Sequence, residues 1–266
     1  MKIFVLLTLL SLSAWSQDPS TYLKNFDAKV YSLKTKGIKD FVVDIESPKI
    51  TKQINDQLIF GEIEKIYFRT YWTANPERIA IEIHGMPEGF KEVKEELKST
   101  ILSMMDNLLP VATLNRFAGY KIISTANPKE LIAQDTTGIA LIPSFTLRFD
   151  NQDKIIEVIA KKPVGTLIIT PKYEKDSFSD GKWVLKSQTT SAGENGQVII
   201  SRKELTYASS QGIGVLAKIK TSIEQKLESG GVKPLNSGET IELKNYKINT
   251  GDAMKFFLSE GTKTSL

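Results

Sequence analysis

The stretch that most constrains this chain spans residues 66–110. It opens with an aromatic segment, Ile66-Tyr67-Phe68-Arg69-Thr70-Tyr71-Trp72. Ala74-Asn75-Pro76-Glu77 reads as a turn, and 78–84 then alternates, with Ile79, Ile81 and Ile83 on one face. Gly85 and Pro87 stop that strand. Phe90, Val93, Leu97, Ile101, Met104, Met105 and Leu108 follow at spacings of three and four, one apolar stripe on a helix of about five turns. A one-faced hairpin followed at once by a one-faced helix predicts a helix laid across the inner face of an antiparallel sheet. Whether that space is filled or open to an apolar guest is the functional question the stretch poses.

The 266 residues include no cysteine and one histidine. Residues 1–16 read as a secretory signal: Lys2 supplies the charge, 3–12 the apolar run, and Ala14 and Ser16 the small residues a signal peptidase requires. The run is too short to span a bilayer, which takes about 20 apolar residues. The expected mature protein is therefore a single domain, 17–266, outside the cytoplasm. With no cysteine it has neither a disulfide nor a site for a lipid anchor. Its core must hold unaided, which is feasible because a chain near 250 residues buries roughly three quarters of its unfolded surface. A net charge of +4 without a lysine or arginine run gives no reason to expect nucleic acid.

Asp18-Pro19 marks a helix start. Tyr22, Phe26, Val30 and Leu33 carry that helix forward to Gly37. A strand follows at 40–46, and 50–60 fits either a helix or a strand. Beyond Pro110 come segments at 120–125, 131–134 and 139–149, the last alternating through Phe145, Leu147 and Phe149. Turns at 150–153, 179–182 and 193–196 separate further strands at 154–161, 166–170, 183–189 and 197–201. Strands at 205–208, 215–223 and 239–248 complete the set, although 215–227 also fits helical spacing. Turn signals every 8–12 residues indicate a large β-rich domain.

The catalytic inventory is thin. His84 sits at a strand end before Gly85-Met86-Pro87, where a structural histidine is the simpler reading. Ser144 lacks a nucleophile-elbow pattern. The 150–153 run has too few oxygen ligands for a calcium loop, and one histidine without cysteine argues against a transition-metal site. No cofactor, metal or catalytic residue is expected. The apolar features remain: aromatics on both faces of 67–72, and the adjacent pair Met104-Met105, whose flexible side chains adapt to irregular apolar surfaces.

In the order of its segments the chain resembles the periplasmic outer-membrane lipoprotein carriers of the LolA/LolB type. The resemblance rests on Tyr71-Trp72-Thr73-Ala74-Asn75-Pro76-Glu77-Arg78-Ile79, on Phe145-Thr146-Leu147-Arg148-Phe149-Asp150 with the following 154–158, and on Asn245-Tyr246-Lys247-Ile248-Asn249-Thr250-Gly251 with Phe256 beyond. It implies an α+β, mainly β fold: a curved antiparallel sheet, or incomplete β-barrel, covered by two or three α-helices on its concave face. It further implies a periplasmic, non-enzymatic and monomeric carrier of lipoprotein acyl chains or another lipid, served by an inner-membrane release complex and an outer-membrane acceptor. Phe68, Trp72, Arg78, Ile81, Phe90, Leu97, Ile101, Met104 and Met105 are the ligand-binding candidates. The chain departs from the family in its length, with an extended region at 110–140. The alternatives are an envelope interaction or sensor module of the same fold with a filled core, and a hydrolase using His84.

Overall fold

A computed structural model describes residues 18–58, 61–194, 197–226, 231–235 and 238–263. The expected signal segment lies outside them. The architecture is mainly β: one antiparallel sheet of thirteen strands among the described residues, not closed on itself, with few helices.

Helix α1 (Pro19–Lys29) starts as the sequence indicates, Asp18 accepting a hydrogen bond from the Ser20 amide. It stops at Lys29 instead of running on toward Gly37. Val30 is extended and bridges Trp183, and the Tyr31 amide donates to the Trp183 carbonyl at 2.8 Å. Pairing with a distant strand overrides the local 3.6-residue periodicity there. Strand β1 (Asp40–Glu46) is buried on both faces up to Ile45. Ser47 then caps α2 (Pro48–Asn55), so the ambiguous segment begins as a helix.

Strands β2 (Tyr67–Ala74) and β3 (Glu77–His84) form the expected hairpin around Asn75-Pro76, and α3 (Lys91–Leu108) follows. Gly85, at φ +87°, lets the chain leave β3. A Cβ at that position would lie 2.0 Å from the Lys65 carbonyl oxygen, so the site is closed to side chains by conformation and by contact. We expect Gly85→Ala to cost about 2–3 kcal/mol in chemical denaturation; a loss below 0.5 kcal/mol would show that the 65–66 backbone yields freely.

After the one-turn α4 (Thr113–Arg116) the chain restarts at the far edge of the sheet. It returns as a meander: β4 (Tyr120–Ser124), β5 (Glu130–Asp135), β6 (Ser144–Phe149), β7 (Ile155–Lys161), β8 (Thr166–Lys175), β9 (Trp183–Glu194), β10 (Gln197–Ser210) and β11 (Ile213–Lys226). The short β12 (Val232–Pro234) pairs with β11, and β13 (Glu239–Ile248) inserts between β11 and β1. The order is thus β3-β2-β1-β13-β11-β10-β9-β8-β7-β6-β5-β4.

Two expectations change, and one open choice is decided. Segments 197–201 and 205–208 belong to one fourteen-residue strand, β10. The described part of 215–227 is a strand, held by pairing with β10 and β13 despite its helix-compatible spacing. Residues 139–143 are loop, and β6 begins only at Ser144. A helix, α5 (Asp252–Lys263), closes the described chain.

Side chains alternate across a sheet, so the register assigns faces. One face, here the inner one, carries Phe68, Ile45 and Leu243 in one row, Ile241, Ile219 and Leu205 in another, and Trp72 and Leu147 in step with them. Two buried clusters lie on it. The first joins α2 and α3 to β3, β2, β1, β13 and β11. The second joins α1 to β5, β6, β7 and Trp183 of β9. Not every helix serves this face. On the outer side α5 stacks Phe256 on Tyr71, ring centroids 3.9 Å apart. That accounts for the aromatics on both faces of β2: Phe68 and Trp72 point inward, Tyr67 and Tyr71 outward.

Candidate functional site

The best candidate is the inner face between and beneath the helices. Helix α3 seats Ile101, Met105 and Leu108 fully in the first cluster, with Val93, Leu97 and Met104 half-buried against it. Its N-terminal half therefore packs less completely than its C-terminal half. Between α3 and the sheet lies a void of about 10 Å³ lined by Met104, Met105, Leu108, Ile45, Leu216, Ile219, Ile241 and Leu243. That is at the lower limit for one water and far below the several hundred Å³ of a ligand pocket. In this conformation α3 itself occupies the apolar seam.

The nine sequence-derived residues separate into groups. Ile81, Leu97, Ile101, Met104 and Met105 do come together at the α3–sheet seam. Phe68 and Trp72 point to the same face but are sealed, each 0% exposed, with Trp72 stacked on Phe41 at 5.2 Å. They are core and line no open cavity. Phe90 stands half-buried at the N-cap of α3. Arg78 is a correction. It pairs with Thr73, one position out of step with Ile79 and Trp72, so it faces the outer side, where its guanidinium lies 6.0 Å from the Phe257 ring of α5.

What the sequence reading missed is the middle of the sheet. The inner-face row Leu167–Ala192–Ile199 and its neighbour Ile169–Thr190–Ser201–Ile223 belong to neither buried cluster; the second row continues into Val158, which packs against the second cluster. Their side chains are half-buried, and Ile199 is 42% exposed. Leu167, Ala192, Ile169, Ile199 and Ile223 are the apolar members of this strip, with Thr190 and Ser201 set among them. The short aliphatic runs 167–169 and 198–200 hinted at it, but only the register aligns the pieces. Next along β10 comes Lys203, on the same face, donating to Asn107 of α3 at 3.1 Å. Burial pushes its ammonium below the ordinary lysine range, opposed by the nearby Asp106 carboxylate. Asn107 in turn donates to the Met104 carbonyl at 2.9 Å, so one polar tie holds the C-terminal end of α3 to the sheet.

His84 lies on the outer face, stacked on Tyr67 at 4.7 Å, with its Nε2 making no hydrogen bond and 3.5 Å from Glu82. No hydroxyl nucleophile is hydrogen-bonded to that nitrogen, so the triad geometry is lacking at this histidine. A second concavity, an open groove of about 480 Å³, lies by Lys29, Gln152, Lys175, Lys182 and Trp183. Lys182 donates to the Ala28 carbonyl at 3.1 Å and Lys29 to the Gln152 carbonyl at 2.9 Å. Lys182 thus complements the C-terminus of α1 and Lys29 ties that end to the β6–β7 turn, both structural tasks.

No family model, no curated protein and no solved structure matches this chain.

Proposed function

We propose that the protein is a non-enzymatic periplasmic carrier that binds the acyl chains of lipoproteins, or another lipid, on the inner face of its sheet. The observation that supports this most directly is the group of half-exposed aliphatics Leu167, Ile169 and Ile199, which lies on the same face of the sheet as the seam under α3. An acyl chain laid along it would be stabilised by about 0.8 kcal/mol per buried methylene. Because α3 fills the seam, full loading requires this helix to lift, and its half-buried N-terminal portion is the part with least apolar contact to lose. The polar Lys203–Asn107 tie is the hinge end in this scheme. The proposed partners are a release complex at the inner membrane and an acceptor at the outer membrane.

The test is titration of the purified protein with a fluorescent acyl probe, alongside native mass spectrometry of protein taken from its own envelope. Ile199→Glu changes a partly exposed side chain and should preserve the fold while weakening probe affinity at least tenfold. Met104→Glu, at the seam, should do the same. Failure of the wild-type protein to bind acyl probes, or equal affinity in both variants, would end the carrier reading.

The nearly filled seam favours one second reading, an envelope interaction or sensor module of the same fold with no cargo. It calls for an unliganded mass, no probe binding and a stoichiometric protein partner.

A further inference from the structure

The loop between β5 and β6 presents two aliphatic side chains almost wholly to solvent: Ile139 is 86% and Leu141 90% exposed. The loop is not loose. The Asp135 carboxylate accepts hydrogen bonds from the Thr137 amide at 2.9 Å, the Thr137 hydroxyl at 2.7 Å and the Ala140 amide at 3.1 Å. Those bonds hold its pKa down at about 2. The Tyr120 hydroxyl donates to the Ile142 carbonyl at 2.9 Å, and the Asp135 amide to the Pro143 carbonyl at 2.9 Å. A pinned loop that holds two aliphatics in water pays a hydration penalty that a flexible loop could relieve by folding them inward.

The register shows what lies beside it. Lys121, Gln134, Ser144, Lys161 and Thr166 form one row across β4 to β8 at this end of the sheet. The neighbouring β7–β8 turn therefore projects the same way, about two strand spacings from the loop. It carries Lys162 and Val164, the latter 59% exposed. Lys121, Lys161 and Lys162 are exposed and form no ion pair among the described residues. Aliphatic tips ringed by unpaired lysines match an anionic lipid surface, with apolar groups for the acyl boundary and ammonium groups for the phosphates.

We propose that this end of the sheet docks on an anionic lipid bilayer, Ile139 and Leu141 entering the headgroup–acyl boundary while Lys121, Lys161 and Lys162 meet lipid phosphates. The docking stands independently of acyl carriage. It would also set the open apolar strip, which starts in the Thr166 region of the same end, against the membrane.

The test is co-sedimentation of the purified protein with vesicles of phosphatidylcholine alone and with 30% phosphatidylglycerol. The wild-type protein should bind the phosphatidylglycerol vesicles, and binding should weaken as salt rises. Ile139→Ser/Leu141→Ser removes only exposed side chains and should lower partition at least tenfold, roughly what the loss of one well-inserted aliphatic implies. Lys161→Glu/Lys162→Glu should lower it by about fivefold or more per lysine and remove most of the salt dependence. Ile139→Trp should show a blue-shifted emission when anionic vesicles are added. No wild-type binding at 30% phosphatidylglycerol, or unchanged binding by the Ser/Ser variant, would overturn the proposal. So would tight capture of a protein partner by Ile139 and Leu141 without vesicle binding. Met104→Glu serves as the control: it should leave vesicle binding unchanged, so a failure of acyl carriage and a failure of docking are read separately.

Discussion

Trp72→Ala should destabilise the protein by about 3–5 kcal/mol, the usual cost of emptying a sealed aromatic site. The indole is wholly buried, stacks on Phe41 and donates from Nε1 to Glu77 at 3.4 Å. It is flanked in register by Phe41 of β1 and Ile79 of β3, so the cavity would open between three strands, where the backbone can collapse little. Urea unfolding monitored by far-ultraviolet circular dichroism measures this. The result bears on function, because Trp72 is the residue that sequence reasoning would place in a ligand cavity. A stable Trp72→Ala protein with selectively lost acyl binding would restore that role. A destabilised protein, whose affinity recovers in proportion to its folded fraction, identifies Trp72 as core.

Asp44→Ala should cost about 3 kcal/mol, because it strands a guanidinium that is now paired. Asp44 is 5% exposed, and Arg69 grips it with Nε at 2.7 Å and Nη2 at 3.0 Å, while Asn245 donates at 3.0 Å. This ties β2, β1 and β13 together on the outer face. Arg69 keeps some contact with water, which holds the cost toward the lower end of the range for broken buried pairs. Burial alone would raise the Asp44 pKa; the hydrogen bonds from Arg69 and Asn245 outweigh it and bring the carboxyl below its ordinary value. The pH dependence follows. A carboxyl whose folded-state pKa is lowered stabilises the fold fully above its unfolded value, about 3.9, and loses that contribution as pH falls through the lower folded-state value. The melting temperature of the wild-type protein should therefore drop more steeply below about pH 4 than that of Asp44→Asn. Parallel acid profiles for the two proteins would remove Asp44 from the acid response, leaving it to other depressed carboxyls such as Asp135 and Asp153.

Much of the local structure was legible in the residues. Asp18-Pro19 starts α1, 40–46 and 239–248 are strands at the bounds expected, and 66–110 is a hairpin followed by a long helix. In each case the determinant is local: a capping carboxylate, a period-two alternation, or an apolar stripe at helical spacing. The errors fall where a distant partner decides. Val30 is extended because Trp183 pairs with it, although its own spacing suits a helix. Where spacing left 215–227 open between strand and helix, pairing with β10 and β13 decides for the strand. Ile139 and Leu141 alternate like a strand, yet Asp135 folds their backbone into a loop.

The candidate site divides in the same way. The stripe Leu97, Ile101, Met104 and Met105 could be read from spacing, because a helix carries its own register. Arg78 could not be placed without the β2–β3 pairing, since a one-residue step turns a side chain to the opposite face. The strip made by Leu167, Ala192 and Ile199 comes from three separate strands, none of which is distinctive alone. Residue spacing was enough for most element types, for the one-faced helix after an aromatic hairpin and for the lack of a histidine–cysteine catalytic set. Packing between elements sets which aromatics are core, that α3 fills its own seam, and which end of the sheet exposes aliphatics. The physical reason is that periodicity reports how a residue sits on its own element, whereas burial and exposure depend on which other elements pack against it.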